Sequence, residues 1–338
     1  MKTLYKKNFL KFSDFTKKEI TFLINYSLDL KKQKKEKKEI QYLKKKNIAL
    51  IFEKQSTRTR CAFEIAAHDQ GAYTTYLNSQ DTHFGYKESI ADTAKVLGCM
   101  YDGIQFRGYH DHTLNLLAKY SKIPVWNGLT NNFHPTQLLA DLVTIQETYP
   151  NISLKKIKIA YVGDAKNNIA HTLLEAAKTI GFKLNIVSPK LYWPDNNIYD
   201  TNQKKIKKNK IMFTENIKKG VKNIDFIYTD TWVSMGDKMT CWKEKITNLK
   251  KYQVNQKMLD LTNNQNVKIL HCLPALHDNK SKISSEIHKK YNFSSGIEIS
   301  HDVFSSKNNL SFQQSLNKIH SIKALLIATL SKNHPFFI

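Results

Sequence analysis

Arginine is almost missing from this chain: of 53 basic residues only Arg58, Arg60 and Arg107 are arginine, which leaves 50 lysines. Lysine's point charge serves solvated surfaces as well as arginine does. The planar fork that grips phosphate or carboxylate oxygens in pairs has no lysine equivalent, so the three retained arginines mark places where geometry matters. Cysteine is also scarce. Cys61, Cys99, Cys241 and Cys272 are scattered with no Cys-x-x-Cys pair and no zinc-type histidine spacing, which excludes a disulfide framework and a structural zinc site and fits a cytoplasmic protein with free thiols. Long apolar runs are absent. A stretch such as 324–328 falls far short of the roughly 20 residues a bilayer span needs, and the start of the chain lacks the apolar core of a secretory signal. Neither a membrane nor a leader is expected. Acidic residues number 29, for a formal charge of +24. The lysines are spread over the whole chain and alternate with Ile, Leu and Asn, so they read as solvated surface, and a nucleic-acid partner is not expected. No internal repeat and no Gly-rich or Ser-rich linker interrupts the sequence.

What is present is an α/β alternation. Apolar, β-branched runs of strand length at 48–52, 73–77, 103–106 and 124–126 alternate with helical periodicity at 58–70, 89–100, 113–121 and 136–148. Further strand candidates lie at 157–162, 184–187, 226–229 and 268–270. This pattern predicts two doubly wound domains with parallel sheets. The Tyr149-Pro150-Asn151 turn marks the boundary. Residues 150–311 form the second domain, and an amphipathic helix over 312–331 returns to the first, which takes 1–149 plus 312–338.

Groups able to do chemistry cluster just past the strand ends. The run from the first strand into a helix carries Ser56, Thr57, Arg58, Thr59 and Arg60. A helix cap needs one hydroxyl; three hydroxyls and two of the three arginines at a helix N-terminus predict a phosphate site. Phe106-Arg107-Gly108-Tyr109 follows another strand and can bring Arg107 to the same anion. His134, Pro135, Thr136 and Gln137 open a helix, where an imidazole and an amide can donate to a carbonyl oxygen that becomes negative in a transition state. In the second half Asp230 and Cys272 each follow a strand, the position at which a doubly wound domain presents substrate-handling groups.

The set STRTR at 56–60, FRGY at 106–109, HPTQ at 134–137, DTWVSMG at 230–236 and HCLPA at 271–275 resembles the ornithine carbamoyltransferases of the aspartate/ornithine carbamoyltransferase family, over nearly the whole chain. STRTR and HPTQ are common to carbamoyltransferases. SMG and HCLP indicate the acceptor, because aspartate enzymes lack both in this form and putrescine enzymes lack the SMG loop. The resemblance implies transfer of the carbamoyl group of carbamoyl phosphate to the side-chain amine of L-ornithine, giving citrulline and phosphate in arginine biosynthesis. No metal or organic cofactor is implied, and the expected assembly is a homotrimer with sites shared between subunits. Ser56, Thr57, Arg58, Thr59 and Arg107 would hold the phosphate, and His134, Pro135, Thr136 and Gln137 the carbamoyl group. Asn168, Asp230, Ser234 and Met235 would bind ornithine. Cys272 and the Leu273 backbone would lie between the substrates, with Cys272, Asp230, Arg58 and His134 acting in catalysis.

Two positions depart from the family pattern. Lys318 stands where an arginine usually helps to bind carbamoyl phosphate, keeping the charge and losing the fork. His83 stands where many members have a glutamine that reaches a neighbouring subunit's site. The alternatives left open are a carbamoyltransferase for another amine or amino acid, and a basic binding protein built on a decayed enzyme scaffold.

Overall fold

The computed structural model describes residues 4–78, 87–199, 210–233, 239–291, 293 and 295–332. The chain divides into two compact units, Met1–Tyr149 with Ser315–Ile338, and Pro150–Gln314. Each is built on a parallel sheet with its helices in the crossovers, the α/β class that the sequence pattern implies.

In the first unit β1 (Asn47–Phe52), β2 (Tyr73–Asn78), β3 (Gly103–Arg107) and β4 (Val125–Leu129) lie in the order β2-β1-β3-β4. Helices α1 (Lys17–Lys35), α2 (Thr57–Asp69), α3 (Ile90–Met100), α4 (Asp111–Ser121) and α5 (Pro135–Thr148) accompany them. Strand order reverses between β1 and β3, and the chain leaving both strands carries polar groups, as expected for a ligand crevice in an open parallel sheet. A register shift at Phe106/Arg107 re-aims the end of β3. Residues 135–145 of α5 are all buried. The last helix, Ser311–Leu330, is buried continuously from residue 320. It is fixed to the first unit by Trp126 Nε1 donating to Thr329 Oγ1 at 3.1 Å and by Asn317 Nδ2 donating to Thr144 Oγ1 at 3.0 Å. Gly103 is required beneath Trp126, because a Cβ there would stand 2.3 Å from the indole.

In the second unit β5 (Lys158–Val162), β6 (Lys183–Val187), β7 (Ile211–Thr214), β8 (Phe226–Thr229) and β9 (Lys268–His271) form a sheet ordered β7-β6-β5-β8-β9. Helix α6 (Asn168–Ile180) follows β5. The switch in order falls between β5 and β8, so the segments after Val162, Thr229 and His271 emerge side by side. The sequence pattern left several elements unassigned, among them α1, α6 and β7. Helix α1 lies inside a lysine-rich stretch that reads as solvated surface, although Ile20, Leu23, Ile24 and Leu30 give it a buried face. Strand β7 is four residues long and pairs, among the described residues, with β6 at the end of the sheet.

Candidate active site

In the first unit the two loops that follow β1 and β3 are tied together by one backbone bond and one through a side chain. Glu53 N donates to Arg107 O at 2.9 Å, and Tyr109 N donates to the Glu53 carboxylate at 3.1 Å. Gly108 makes this approach possible, since a Cβ would stand 2.2 Å from the Glu53 carboxylate. Ser56 caps α2 by accepting from Thr59 N at 3.2 Å. The first-turn N–H groups of such a helix have no intrahelical acceptor and carry the positive end of its dipole. Thr57 is exposed at the first helical position, Arg58 is half-buried and Thr59 is buried. Arg107 donates from Nε to Lys54 O at 3.2 Å and from Nη1 to Thr59 Oγ1 at 3.4 Å.

Lys318, only 3% exposed, reaches the same threonine: its Nζ donates to Thr59 Oγ1 at 3.2 Å and to Gln137 Oε1 at 2.9 Å. Gln137 Nε2 donates to the buried Asp141 carboxylate at 2.9 Å. A donor-only ammonium on one side and an acceptor-only carboxylate on the other fix which way this amide points. His134 immediately precedes α5, which has Pro135 at its first helical position, and Thr136 Oγ1 donates to Asn127 O at 3.1 Å. Burial, followed by the charges of Lys318, Arg107 and Arg58, holds His134 well below the ordinary imidazole range. It is therefore a neutral imidazole among three cations, able to donate one N–H. Three like charges gathered around one helix N-terminus are able to attract a multiply charged anion.

Arg60 does not join them. Its Nε donates to Glu64 at 2.9 Å, and its guanidinium lies 3.8 Å from the Tyr76 ring centroid. The arginine plane is used there too, but for stacking.

The second unit presents an acid and a thiol. Cys272 Sγ donates to Asp230 Oδ1 at 3.1 Å, and the same oxygen accepts from Thr231 N at 2.8 Å. Burial, aided by the Glu298 charge, raises the Asp230 carboxyl above its usual range, while His271, Cys272 and Thr231 pull it down. His271 Nδ1 accepts from Leu273 N at 3.0 Å, so its hydrogen sits on Nε2, which faces Glu298 Oε1 at 3.2 Å. Glu298 Oε1 also accepts from Leu276 N, and Gln314 Oε1 from His271 N, so the segment from Cys272 to Ala275 is held at both ends. Leu273 adopts φ +56° and is followed by a cis bond to Pro274. Asn168 is the first residue of α6; its neighbour Asn167 is the cap and brings Nδ2 within 3.5 Å of Asp230 Oδ2.

The structure thus gathers Thr59, Arg107, His134, Gln137 and Lys318 in one unit, with Arg58 near enough to act on His134, and Asp230 with Cys272 in the other. His83, Ser234 and Met235 lie outside the described residues. Asn167 was missed by the sequence reading, though its preference for helix caps is a usable signal. Glu298 and Gln314 carry no local signal because their partners are 27 and 43 residues away in sequence. Donor atoms of Asp230, His271 and Cys272 lie within 4.8 Å of one another. Both His271 nitrogens are already committed and the thiol is bonded to the carboxylate, so this group does not fit a metal as it stands.

One parallel α/β unit thus gathers cations at a helix N-terminus, as a phosphate-handling unit does, and the other presents a carboxylate and a thiol, groups suited to a basic co-substrate. Two models of one family match the chain: the carbamoyl-P binding domain of aspartate/ornithine carbamoyltransferase over residues 7–147, and the Asp/Orn binding domain over 155–329. The chain belongs to the aspartate/ornithine carbamoyltransferase family. It is 58% identical to the ornithine carbamoyltransferase of Buchnera aphidicola subsp. Baizongia pistaciae, covering 99% of this chain and 100% of that one. With the ornithine carbamoyltransferase of Blochmanniella floridana it shares 54% identity over 98% of this chain and 96% of the relative. Among solved structures, the ornithine carbamoyltransferase of Pyrococcus furiosus superposes with TM-score 0.86 at 33% identity, covering 98% and 99% of the two chains. The anabolic enzyme of Campylobacter jejuni gives 0.82 at 34% identity, over 95% and 97%.

Proposed function

We propose that this chain is an ornithine carbamoyltransferase, moving the carbamoyl group of carbamoyl phosphate to the δ-amine of L-ornithine to form citrulline and phosphate. The full-length identity to enzymes of that name carries the reading. The phosphate takes the N-terminus of α2 with Ser56, Thr57, Arg58, Thr59 and Arg107, and Lys318 adds a third positive charge. His134 and Gln137 hold the carbamoyl oxygen, with Pro135 and Thr136 fixing the start of their helix. A neutral His134 suits this role, because it donates to the oxygen as charge develops without competing for the proton of the amine.

Ornithine takes the second unit, with Asn168, Asp230, Ser234 and Met235 as its binding residues and Cys272 with the Leu273 backbone beside the reacting amine. That amine has an ordinary pKa of about 10, so it must lose a proton before it attacks. The Asp230–Cys272 pair has a carboxylate of raised basicity to hold the amine's hydrogens, and the departing phosphate takes up a proton as the C–O bond breaks. No step calls for a metal or an organic cofactor. The family resemblance supports a cytoplasmic enzyme of arginine biosynthesis that works as a homotrimer, with His83 reaching a neighbouring subunit's site. Among the described residues no helix is long and apolar enough to cross a membrane.

Citrulline formation with ornithine, and the corresponding products with putrescine and aspartate, should be measured side by side. Turnover with ornithine alone is expected. Preference for another acceptor overturns the substrate assignment, and no turnover with any of the three overturns the enzyme reading.

A further inference from the structure

Beyond the carbamoyl-transfer residues, the second unit brings together two histidines and an aspartate that the reaction does not use. His277 follows the Cys272–Ala275 segment, and its ring lies flat on that of Phe304, with centroids 3.8 Å apart and planes within 10°. His301 opens the short helix His301–Phe304 behind the cap residue Ser300 and is exposed. The two Nδ1 atoms are 2.9 Å apart, with ring centroids at 5.1 Å and planes within 13°, so the rings meet end to end. Asp278 Oδ1 accepts from Lys280 N at 3.1 Å, and its Oδ2 faces His277 Nε2 at 3.9 Å. One ligand atom from each of the three residues falls within 4.8 Å of the others.

As the rings stand, a single proton is shared between the two Nδ1 atoms, one imidazole donating and the other accepting. We propose that His277, Asp278 and His301 form a binding site for a divalent cation of the zinc and nickel class, separate from the carbamoyl-transfer groups. Two imidazole nitrogens bound to one such ion at about 2.0–2.1 Å stand about 2.9 Å apart at a right angle and about 3.4 Å apart at the tetrahedral angle. The observed separation already meets the first case and is within a few tenths of an ångström of the second. What must change is direction, because lone pairs that face each other have to converge on the ion. His301, exposed at the start of a single helical turn, supplies that rotation, while the stack on Phe304 keeps His277 in place. Asp278 provides an oxygen, and water completes the shell. Two imidazoles and one carboxylate with no thiolate suit zinc and nickel, whereas magnesium and calcium prefer oxygen donors. The ion would join residues 277–278 to the turn at 300–304, raising the thermal stability of the protein that binds it.

The test is zinc chloride titrated calorimetrically into the full chain carrying Cys272→Ser, which removes the thiol as a competing ligand, with the melting temperature followed in parallel. One equivalent should bind and raise the melting temperature. Adding His301→Ala, an exposed position that the fold tolerates, should weaken zinc by at least about tenfold, the loss that even an outer-shell partner brings, and abolish the shift in melting temperature. Magnesium chloride should neither bind nor shift it. Absence of zinc binding, or zinc affinity unchanged by His301→Ala, overturns the site.

Discussion

The chemical groups of the two units are of opposite kinds. The first unit gathers Arg58, Arg107 and Lys318 around a helix N-terminus and keeps its histidine neutral by burial and by those charges. The second gathers a carboxylate and a thiol, and burial there raises the acid's affinity for protons. The contrast matches what the proposed reaction asks of each: a phosphate with two negative charges for the first, and for the second an amine that arrives as a cation and must become neutral. It also shows that one physical cause, desolvation, serves two ends. Burial suppresses protonation of His134 and promotes protonation of Asp230, because in each case it disfavours the charged form.

The largest effect that separates the two regions should come from Asp230→Asn. The amide cannot accept the amine's proton, so turnover should fall by about 10²–10⁴-fold, the usual contribution of a positioned acid or base. Next are Arg58→Lys and Arg107→Lys, each expected to lose at least about tenfold, or roughly 1.4 kcal/mol, through the missing bidentate grip. Steady-state kinetics on the three variants would break the comparison if both lysine variants kept wild-type activity.

Smaller effects sharpen it. From sequence alone Lys318→Arg reads as a gain, since a fork would return to a position where the family usually has arginine. The structure reverses the sign: Lys318 is 3% exposed and already bonded to Thr59 and Gln137. One added hydrogen bond contributes about 1 kcal/mol, whereas overfilling a packed site costs about 1–3 kcal/mol. Weaker carbamoyl phosphate binding is expected, with ornithine binding unaffected, and a lower KM for carbamoyl phosphate would contradict this. Acid should destabilise the first unit through its buried neutral histidines. His320 is depressed to about 4 by burial and by Lys323, Lys31 and Lys34, so stability should fall as pH drops from about 6.5 towards 4, where the unfolded chain takes up protons that the folded one refuses. Melting curves of wild type and His320→Gln should show a shallower fall in the variant. Smallest of all, Arg60→Lys should leave catalysis intact and barely move the melting temperature, because the partners of Arg60 among the described residues are Glu64 and Tyr76, at the surface.

Periodicity was enough to read the α/β class and most strands, because a strand buried on both faces is a nearly continuous apolar run, as at 48–52 and 226–228. Position after a strand made Arg107, Asp230 and Cys272 visible for the same reason. Helix α1 was lost because its lysines outweigh its buried stripe in any local window. The separation of Arg60 from Arg58 was invisible because two residues apart on a helix means different faces, and only the position of Tyr76 shows what the second face meets. Lys318 was recognised by resemblance, while its two bonds span 259 and 181 residues of chain that no local pattern connects.

The division of labour between the units is tested most directly by titrating carbamoyl phosphate into Asp230→Asn beside Arg107→Lys. If the first unit alone binds that substrate, Asp230→Asn keeps an affinity near that of the wild type, while Arg107→Lys loses about tenfold or more. A comparable loss in Asp230→Asn would contradict the account and assign Asp230 to carbamoyl phosphate.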